Sequence, residues 1–358
     1  MYLPTRLICE KNAVRKSAEA LCALGSRAVI VTGGSSSRRN GALNDTCEAL
    51  ESGGRSFVIF DEVEQNPSVE TVLKAAEQAR ESGCDFVVGV GGGSPLDAAK
   101  AVAFLLAHDS ARAGRELLYT PGDDSRVPLA LVPTTCGTGS EVTPVSVLSV
   151  KELATKRSIT HKVFADLALV DGKYLSAAPL QVIRNTALDA LTHMIESLIN
   201  TKADEFSRMF VRGGLRLWAE CMDVLEGQRQ PEEEALMRLM QASAMAGMAI
   251  AQTSTTVPHG LSYPLTYKLG VPHGVAVGYF TAGYLDAADE ADRELILSAL
   301  GFKTTADFQG WYSRLFPVPE VSEDILTAAV DELMKNEQKL AAVPFPLDRE
   351  RLLRIAGV

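Results

Sequence analysis

Four short apolar runs rich in β-branched residues, separated by segments of helical period, restrict the fold of this chain more than any other feature. The runs are 27–32 (RAVIVT), 56–60 (SFVIF), 85–90 (DFVVGV) and 129–132 (LALV). Between them lie 43–54 (LNDTCEALESGG), 68–83 (SVETVLKAAEQARESG) and 94–110 (SPLDAAKAVAFLLAHDS), whose apolar residues recur every three or four positions and whose ends carry Ser, Pro and Gly. Strands alternating with helices in this way form a mostly parallel sheet covered on both faces, with ligands at the carboxyl ends of the strands.

From about Pro179 the strand signal fades, and 180–200, 204–225, 232–252 and 322–341 all read as helices. A chain of 358 residues exceeds the size at which a single core stops growing, so two domains are expected. The boundary predicted is an α/β domain over 1–178 and an all-helical domain over 179–358.

With 35 basic against 45 acidic residues, a net of −10, and no block of like charge, nothing in the chain suits a phosphate backbone, so no nucleic-acid partner is expected. The first twenty residues lack a basic stretch followed by an apolar signal core, and the longest clean apolar run, 101–107, is too short to span a bilayer. The expectation is a soluble cytoplasmic protein without a membrane partner. Six cysteines without a CxxC pair read as reduced thiols.

Three consecutive glycines, Gly91, Gly92 and Gly93, separate the third run from the next helix, where Ser94 can cap and Pro95 suits the first turn. Free amide N–H groups and the positive end of a helix dipole then face one point, which is the construction of a phosphate site. A second loop, 133–144 (PTTCGTGSEVTP), follows the fourth run and offers the hydroxyls of Thr134, Thr135, Thr138 and Ser140 to phosphate, ribose or amide groups. No GxGxxG motif opens the chain. The first run leads instead into 32–41 (TGGSSSRRNG), which contains no acidic residue for a ribose 2′-hydroxyl; Gly33 leaves room, and Ser35, Ser36 and Ser37 with Arg38 and Arg39 can hold a 2′-phosphate.

Three of the five histidines, His193, His259 and His273, fall in the helical half with Asp189. Asp189 and His193 stand at i and i+4, so both leave one face of a helix among apolar neighbours that would otherwise bury an uncompensated carboxylate. His259 and His273 are each preceded by Pro and followed by Gly, and Pro264, Gly270 and Pro272 are expected to break any helix between them and fold the segment back. One carboxylate and three imidazoles suit iron, zinc, cobalt or nickel alike.

These residues together resemble the iron-containing (group III, metal-dependent) alcohol dehydrogenase family, from the first strand to at least Phe280. GGGSPLDAAK and PTTCGTGSEVTP resemble its two nucleotide loops, and the D-x-x-x-H pair with the two later His-Gly steps resembles its metal site. The resemblance implies a dehydroquinate synthase-like fold, in which a dinucleotide-binding parallel-sheet domain precedes an all-helical metal- and substrate-binding domain. It implies that Asp189, His193, His259 and His273 bind a divalent ion, Fe²⁺ or alternatively Zn²⁺. On the cofactor side it implies Gly92, Gly93 and Ser94 at the pyrophosphate, with Asn66, Asp97, Thr134, Thr135, Thr138, Thr143, Val147 and Lys156 around the rest of the nucleotide. Many members that use NAD carry Asp at the position of Gly33, so the resemblance points to NADP(H) over NAD(H). Many also carry a second histidine four residues after the first of the HGxxH stretch, where this chain has Tyr263; the alternative proton donors are then the Tyr263 hydroxyl and bound water, with a packing role alone for Tyr263 as the third reading. The expected activity is reversible hydride transfer between NADP(H) and a small alcohol or aldehyde, by a homodimer. A zinc polyol dehydrogenase of the glycerol type using NAD, and a dehydroquinate-synthase-like lyase, are the alternatives.

Overall fold

The computed structural model describes residues 1–108, 114–153 and 155–358. Two compact units emerge from it, one of Tyr2–Thr135 with Gly139–Ala178, the other of Pro179–Val358 with Cys136–Thr138 and Met1.

The first unit is built on six parallel strands, β1 (Arg6–Cys9), β2 (Arg27–Thr32), β3 (Ser56–Phe60), β4 (Phe86–Gly91), β5 (Leu129–Pro133) and β8 (Leu167–Val170), in the order β1-β8-β5-β4-β2-β3. A separate antiparallel pair, β6 (Val147–Val150) and β7 (Thr155–Ser158), follows the second glycine-rich loop. The central strands read as unbroken apolar runs because both faces are covered. Successive side chains point to opposite sides, so Val29, Val31, Val87, Leu129 and Leu131 enter one core with helices α2 (Val69–Glu81) and α3 (Gly93–Leu106). Ala28, Ile30, Val88, Ala130 and Val132 enter the other with α1 (Ala42–Ser52). Helix α3 ends at Leu106, short of the predicted segment, whose last two residues, Asp109 and Ser110, lie outside the described residues.

The second unit centres on α4 (Leu180–Leu198), which is buried without interruption from Ala187 to Leu198 and packs against α5 (Glu205–Ala219) and α6 (Glu233–Thr253). Two predicted helices are divided. The first stops at Ala219, where Cys221 leaves the helical path with its Sγ on the Ala235 carbonyl at 3.5 Å, and a short turn over Met222–Glu226 follows. The second splits into α9 (Glu323–Leu333) and α10 (Glu337–Ala341) because the Asn336 side chain caps the later piece by accepting from Lys339 N. Two further helices, α7 (Val257–Leu269) and α8 (His273–Gly278), carry the later histidines.

Pro264 does not break the chain as expected. It lies inside α7, where it removes one backbone bond from a helix packed along α9, and the reversal comes at Gly270, whose φ of 67° only glycine adopts freely. Among the described residues no helix is long and apolar enough to cross a membrane.

Candidate functional site

The spacing on α4 sets the site of the helical unit. Asp189 and His193 emerge one turn apart, and α7 and α8 deliver His259 and His273 to the same point from their first turns, each entered through a proline that needs no N–H there. The Nε2 atoms of His259, His273 and His193 lie 3.4, 3.8 and 4.0 Å from Asp189 Oδ1. The His193 and His259 rings stack at 4.5 Å between centroids, and His273 meets His259 edge-on at 5.4 Å.

Asp189 Oδ1 and His259 Nε2 are buried and make no hydrogen bond among the described residues. They face each other at 3.4 Å without a well-formed hydrogen bond, an arrangement that costs free energy in an interior. Bonds of about 2.1 Å to a tetrahedral divalent ion place its ligands about 3.4 Å apart, close to the spacing seen, so the donor set fits a metal. Asp189, His193 and His259 are closed to solvent, whereas the His273 side chain is 34% exposed, so the accessible side of the cluster is that of His273.

Around these four groups a further layer fixes the rings. His193 Nδ1 faces the Gly137 carbonyl at 3.3 Å, and His259 Nδ1 bonds Glu196 Oε2. Facing an acceptor, each Nδ1 carries a proton, which leaves Nε2, the atom beside Asp189, as the one that would give its lone pair to an ion. Glu196 was not singled out from the sequence, although its position seven residues after Asp189 and three after His193 places it on the same helix face. Burial works to raise the Asp189 carboxyl, but His193, His273 and His259 outweigh it and hold it below its ordinary range. Burial likewise opposes charge on His259, yet Glu196 and Asp189 carry it up to about 9.

The segment between α6 and α7 is clamped. Lys339 Nζ donates to Thr255 Oγ1 at 2.9 Å and reaches the Thr255 and Thr256 carbonyls, while Glu196 Oε1 accepts from Thr256 N at 2.9 Å. Ser254, at its start, has φ 79° and ψ 170°, a region that is essentially glycine's alone. The glycine after His273 also has a reason. A Cβ on Gly260 would lie 2.5 Å from Leu333 Cδ1, a side-chain end that can turn away, whereas one on Gly274 would lie 1.9 Å from the Asn185 carbonyl oxygen, so at Gly274 only glycine lets the α4 backbone approach next to His273. Tyr263 stands one turn beyond His259 on α7, 38% exposed, with partial burial and the neighbouring Glu196 and Tyr267 raising its phenol.

In the α/β unit, Gly91 has φ 151° and would drive a Cβ to 2.6 Å from Pro95 Cγ, while Gly92 lies against Thr135. Thr134 N donates to the Gly91 carbonyl at 2.9 Å, so the two glycine-rich loops are joined through their main chains. Ser94 Oγ accepts from Asn66 N at 3.1 Å, and Asn66 itself takes a left-handed φ of 61°. Asp97 is engaged internally rather than open. Its carboxylate accepts from Ser140 Oγ at 2.6 Å and from Val147 N at 2.9 Å, and fully buried Lys100 donates to Ser140 Oγ, Thr143 Oγ1 and the Val145 carbonyl. Lys100 and Asp97 thus pin the second loop to α3. Burial brings Lys100 down to about 8 and pushes neighbouring Glu141 up to about 7. Lys156 lies on β7 opposite Ser149, and Thr138 clusters with the helical unit. Cys136 is buried with its thiol pushed up to about 12, so it is no nucleophile.

The loop after β2 differs from expectation in two respects. Gly33 is required by backbone packing, since a Cβ there would lie 2.7 Å from the Val63 carbonyl oxygen. The acidic group missing from the loop is supplied by the adjacent strand β3, whose following residue Asp61 pairs with Arg38 at 3.1 Å. Arg39 bonds Ser35 Oγ, Ser36 is exposed, and Ser37 turns inward onto Thr32 Oγ1 at 2.7 Å.

Residues 4–172 match the family described as iron-containing alcohol dehydrogenase, and residues 183–304 match the Fe-containing alcohol dehydrogenase family, C-terminal. The chain is 32% identical over 290 residues to long-chain-alcohol dehydrogenase 1 of Geobacillus thermodenitrificans, covering 78% of this chain and 71% of that one. It is 29% identical over 256 residues to the NADPH-dependent butanol dehydrogenase of Clostridium saccharobutylicum, covering 70% and 65%. Among solved structures, an iron-containing alcohol dehydrogenase of Thermotoga maritima superposes with a TM-score of 0.91 at 33% identity over 100% of this chain and 99% of that one.

Proposed function

The chain belongs to the iron-containing alcohol dehydrogenase family, and from that premise we propose that it transfers a hydride reversibly between NADP(H) and a small alcohol or aldehyde, with Asp189, His193, His259 and His273 holding Fe²⁺, or Zn²⁺ in its place. The observation that carries this reading is the convergence of three imidazole Nε2 atoms within 4.0 Å of one buried carboxylate oxygen that has no hydrogen-bond partner among the described residues. When bound, the ion supplies Lewis acidity for a carbonyl oxygen and the nicotinamide supplies or accepts the hydride.

The chain's own part is to hold and orient. Asp189 balances the charge of the ion, the Gly137 carbonyl and Glu196 fix two of the imidazoles, and the exposed edge of His273 is the side from which substrate approaches. Gly92, Gly93 and Ser94 offer the pyrophosphate the free N–H groups of the α3 N-terminus. Thr134, Thr135, Thr138, Thr143, Asn66 and Lys156 line the remainder of the nucleotide, while Asp97 and Val147 act indirectly by anchoring the loop. Arg38 and Arg39, with Ser35 and Ser36 beside them, receive the 2′-phosphate that favours NADP(H). The Tyr263 hydroxyl, one turn beyond His259 on α7 and protonated at neutral pH as any phenol is, delivers the proton to the substrate oxygen in aldehyde reduction. A cytoplasmic homodimer, paired through an edge of the six-stranded sheet, completes the reading, and sedimentation equilibrium tests its mass.

Anaerobic oxidation of NADPH and NADH with short- and long-chain aldehydes, by metal-free protein and by protein reloaded with Fe²⁺ or Zn²⁺, tests the reaction. Turnover restored by Fe²⁺ with NADPH preferred is the expected result. Binding of both cofactors with consumption of neither under any metal would overturn it.

A further inference from the structure

We propose that Glu196 is a positioning residue that commits His259 to the tautomer whose lone pair is on Nε2, an inference that rests on the metal-site reading above. Among the described residues, every group that hydrogen-bonds the Glu196 carboxylate can donate. Oε1 meets Thr256 N at 2.9 Å, His259 N at 3.2 Å and Thr256 Oγ1 at 3.3 Å, and Oε2 meets His259 Nδ1. The residue is fully buried, so water does not substitute for any of these partners.

A carboxylate accepts at both ends, and an amide cannot. In Glu196→Gln the amide oxygen goes to the end that faces two backbone N–H groups and a hydroxyl, because an NH₂ there would oppose fixed donors. The NH₂ then faces His259 Nδ1, which must accept, and the ring proton moves to Nε2. That atom lies 3.4 Å from Asp189 Oδ1 and is the one that would hold the ion. A change of one oxygen to one nitrogen, with shape conserved, thereby converts a ligand atom into a donor.

Two measurements test this, neither of them turnover. The first is Zn²⁺ affinity by competition with a chromophoric chelator, where Glu196→Gln should bind about 10- to 100-fold more weakly than wild type. Tyr284→Phe strips bonds to Thr256 Oγ1 and the Ile199 carbonyl from the same buried network without touching the carboxylate. It should lower Tm yet leave Zn²⁺ affinity within about threefold, which a merely structural role for Glu196 would not predict. The second is long-range ¹H–¹⁵N correlation of the Zn²⁺-loaded wild type, tractable with five histidines, where His259 should carry its proton on Nδ1. Wild-type affinity in a folded Glu196→Gln, or a wild-type His259 protonated on Nε2, would overturn the proposal, and the second result decides even if the variant does not fold. A wild type that binds Zn²⁺ no better than His193→Ala would instead overturn the metal-site reading, and this inference with it.

Discussion

Gly274→Ala adds a single methyl group and should cost the site a ligand. The new Cβ would lie 1.9 Å from the Asn185 carbonyl oxygen and 3.0 Å from Asp189 Cβ, where ordinary contact begins at 3.4 Å. Both obstacles belong to α4, one of them to its backbone, so neither can swing aside, and α8 must retreat by about 1.5 Å. His273 is the adjoining residue, and its Nε2 is 3.8 Å from Asp189 Oδ1. Metal–ligand bonds tolerate about 0.2 Å, so the displaced imidazole falls out of reach. Losing one imidazole should weaken Zn²⁺ binding by about 100-fold or more, beyond the range typical of outer-layer changes. The overpacking itself should cost about 1–3 kcal/mol, lowering Tm by about 2–10 °C. The assay is competition titration alongside thermal melting, with His273→Ala as the comparison that removes the ligand without the clash. Equal affinity loss in both variants, with the larger Tm loss in Gly274→Ala, is expected. Wild-type Zn²⁺ affinity in Gly274→Ala would refute the reasoning, because the backbone approach would then have nothing to do with placing His273.

Glu141→Gln should change how stability depends on pH. Burial raises the Glu141 carboxyl from 4.5 to about 7, so its contribution is complete below pH 4.5 and is lost as pH rises through 7. That amounts to about 3 kcal/mol, and a glutamine does not lose it, so the variant should gain on wild type across that window in urea titrations; parallel curves from pH 4 to 8 would contradict this. Arg38→Ala with Arg39→Ala should raise the KM for NADPH by about tenfold or more and leave that for NADH nearly unchanged, as steady-state kinetics with both cofactors would reveal. Tyr263→Phe should lower kcat for aldehyde reduction by about 10²-fold with little change in KM, and a kcat equal to wild type would assign the proton to another donor.

The parts of the molecule legible in the sequence are those with long periods or strict spacing. β2 and β3 were readable because four apolar residues in a row, mostly β-branched or aromatic and bounded by turns, have no other use. β1, β6, β7 and β8 are four residues each, too short to carry a pattern, and they exist because neighbouring strands supply their hydrogen bonds. Asp189 and His193 announced themselves by i, i+4 spacing, yet Glu196, three residues further on, was passed over because a glutamate on a helix is ordinarily solvated. Asp61 was invisible for a different reason: it joins the serine–arginine loop only through the pairing of β2 with β3. Pro264 misled because a helix packed along its length tolerates one missing bond.

Ser254 has consequences for how such a chain evolves. Its conformation, natural to glycine, costs about 1–3 kcal/mol, and that strain is sustained by the Lys339 and Glu196 clamps on the two residues that follow. A lineage selected for heat resistance alone would gain stability from Ser254→Gly. It would also loosen the segment that brings His259 to Asp189, so the same step should lower metal retention, measurable as faster Zn²⁺ release to a chelator. Stability and metal retention therefore pull this one position in opposite directions, and whichever residue a descendant carries there records which of the two its surroundings demanded.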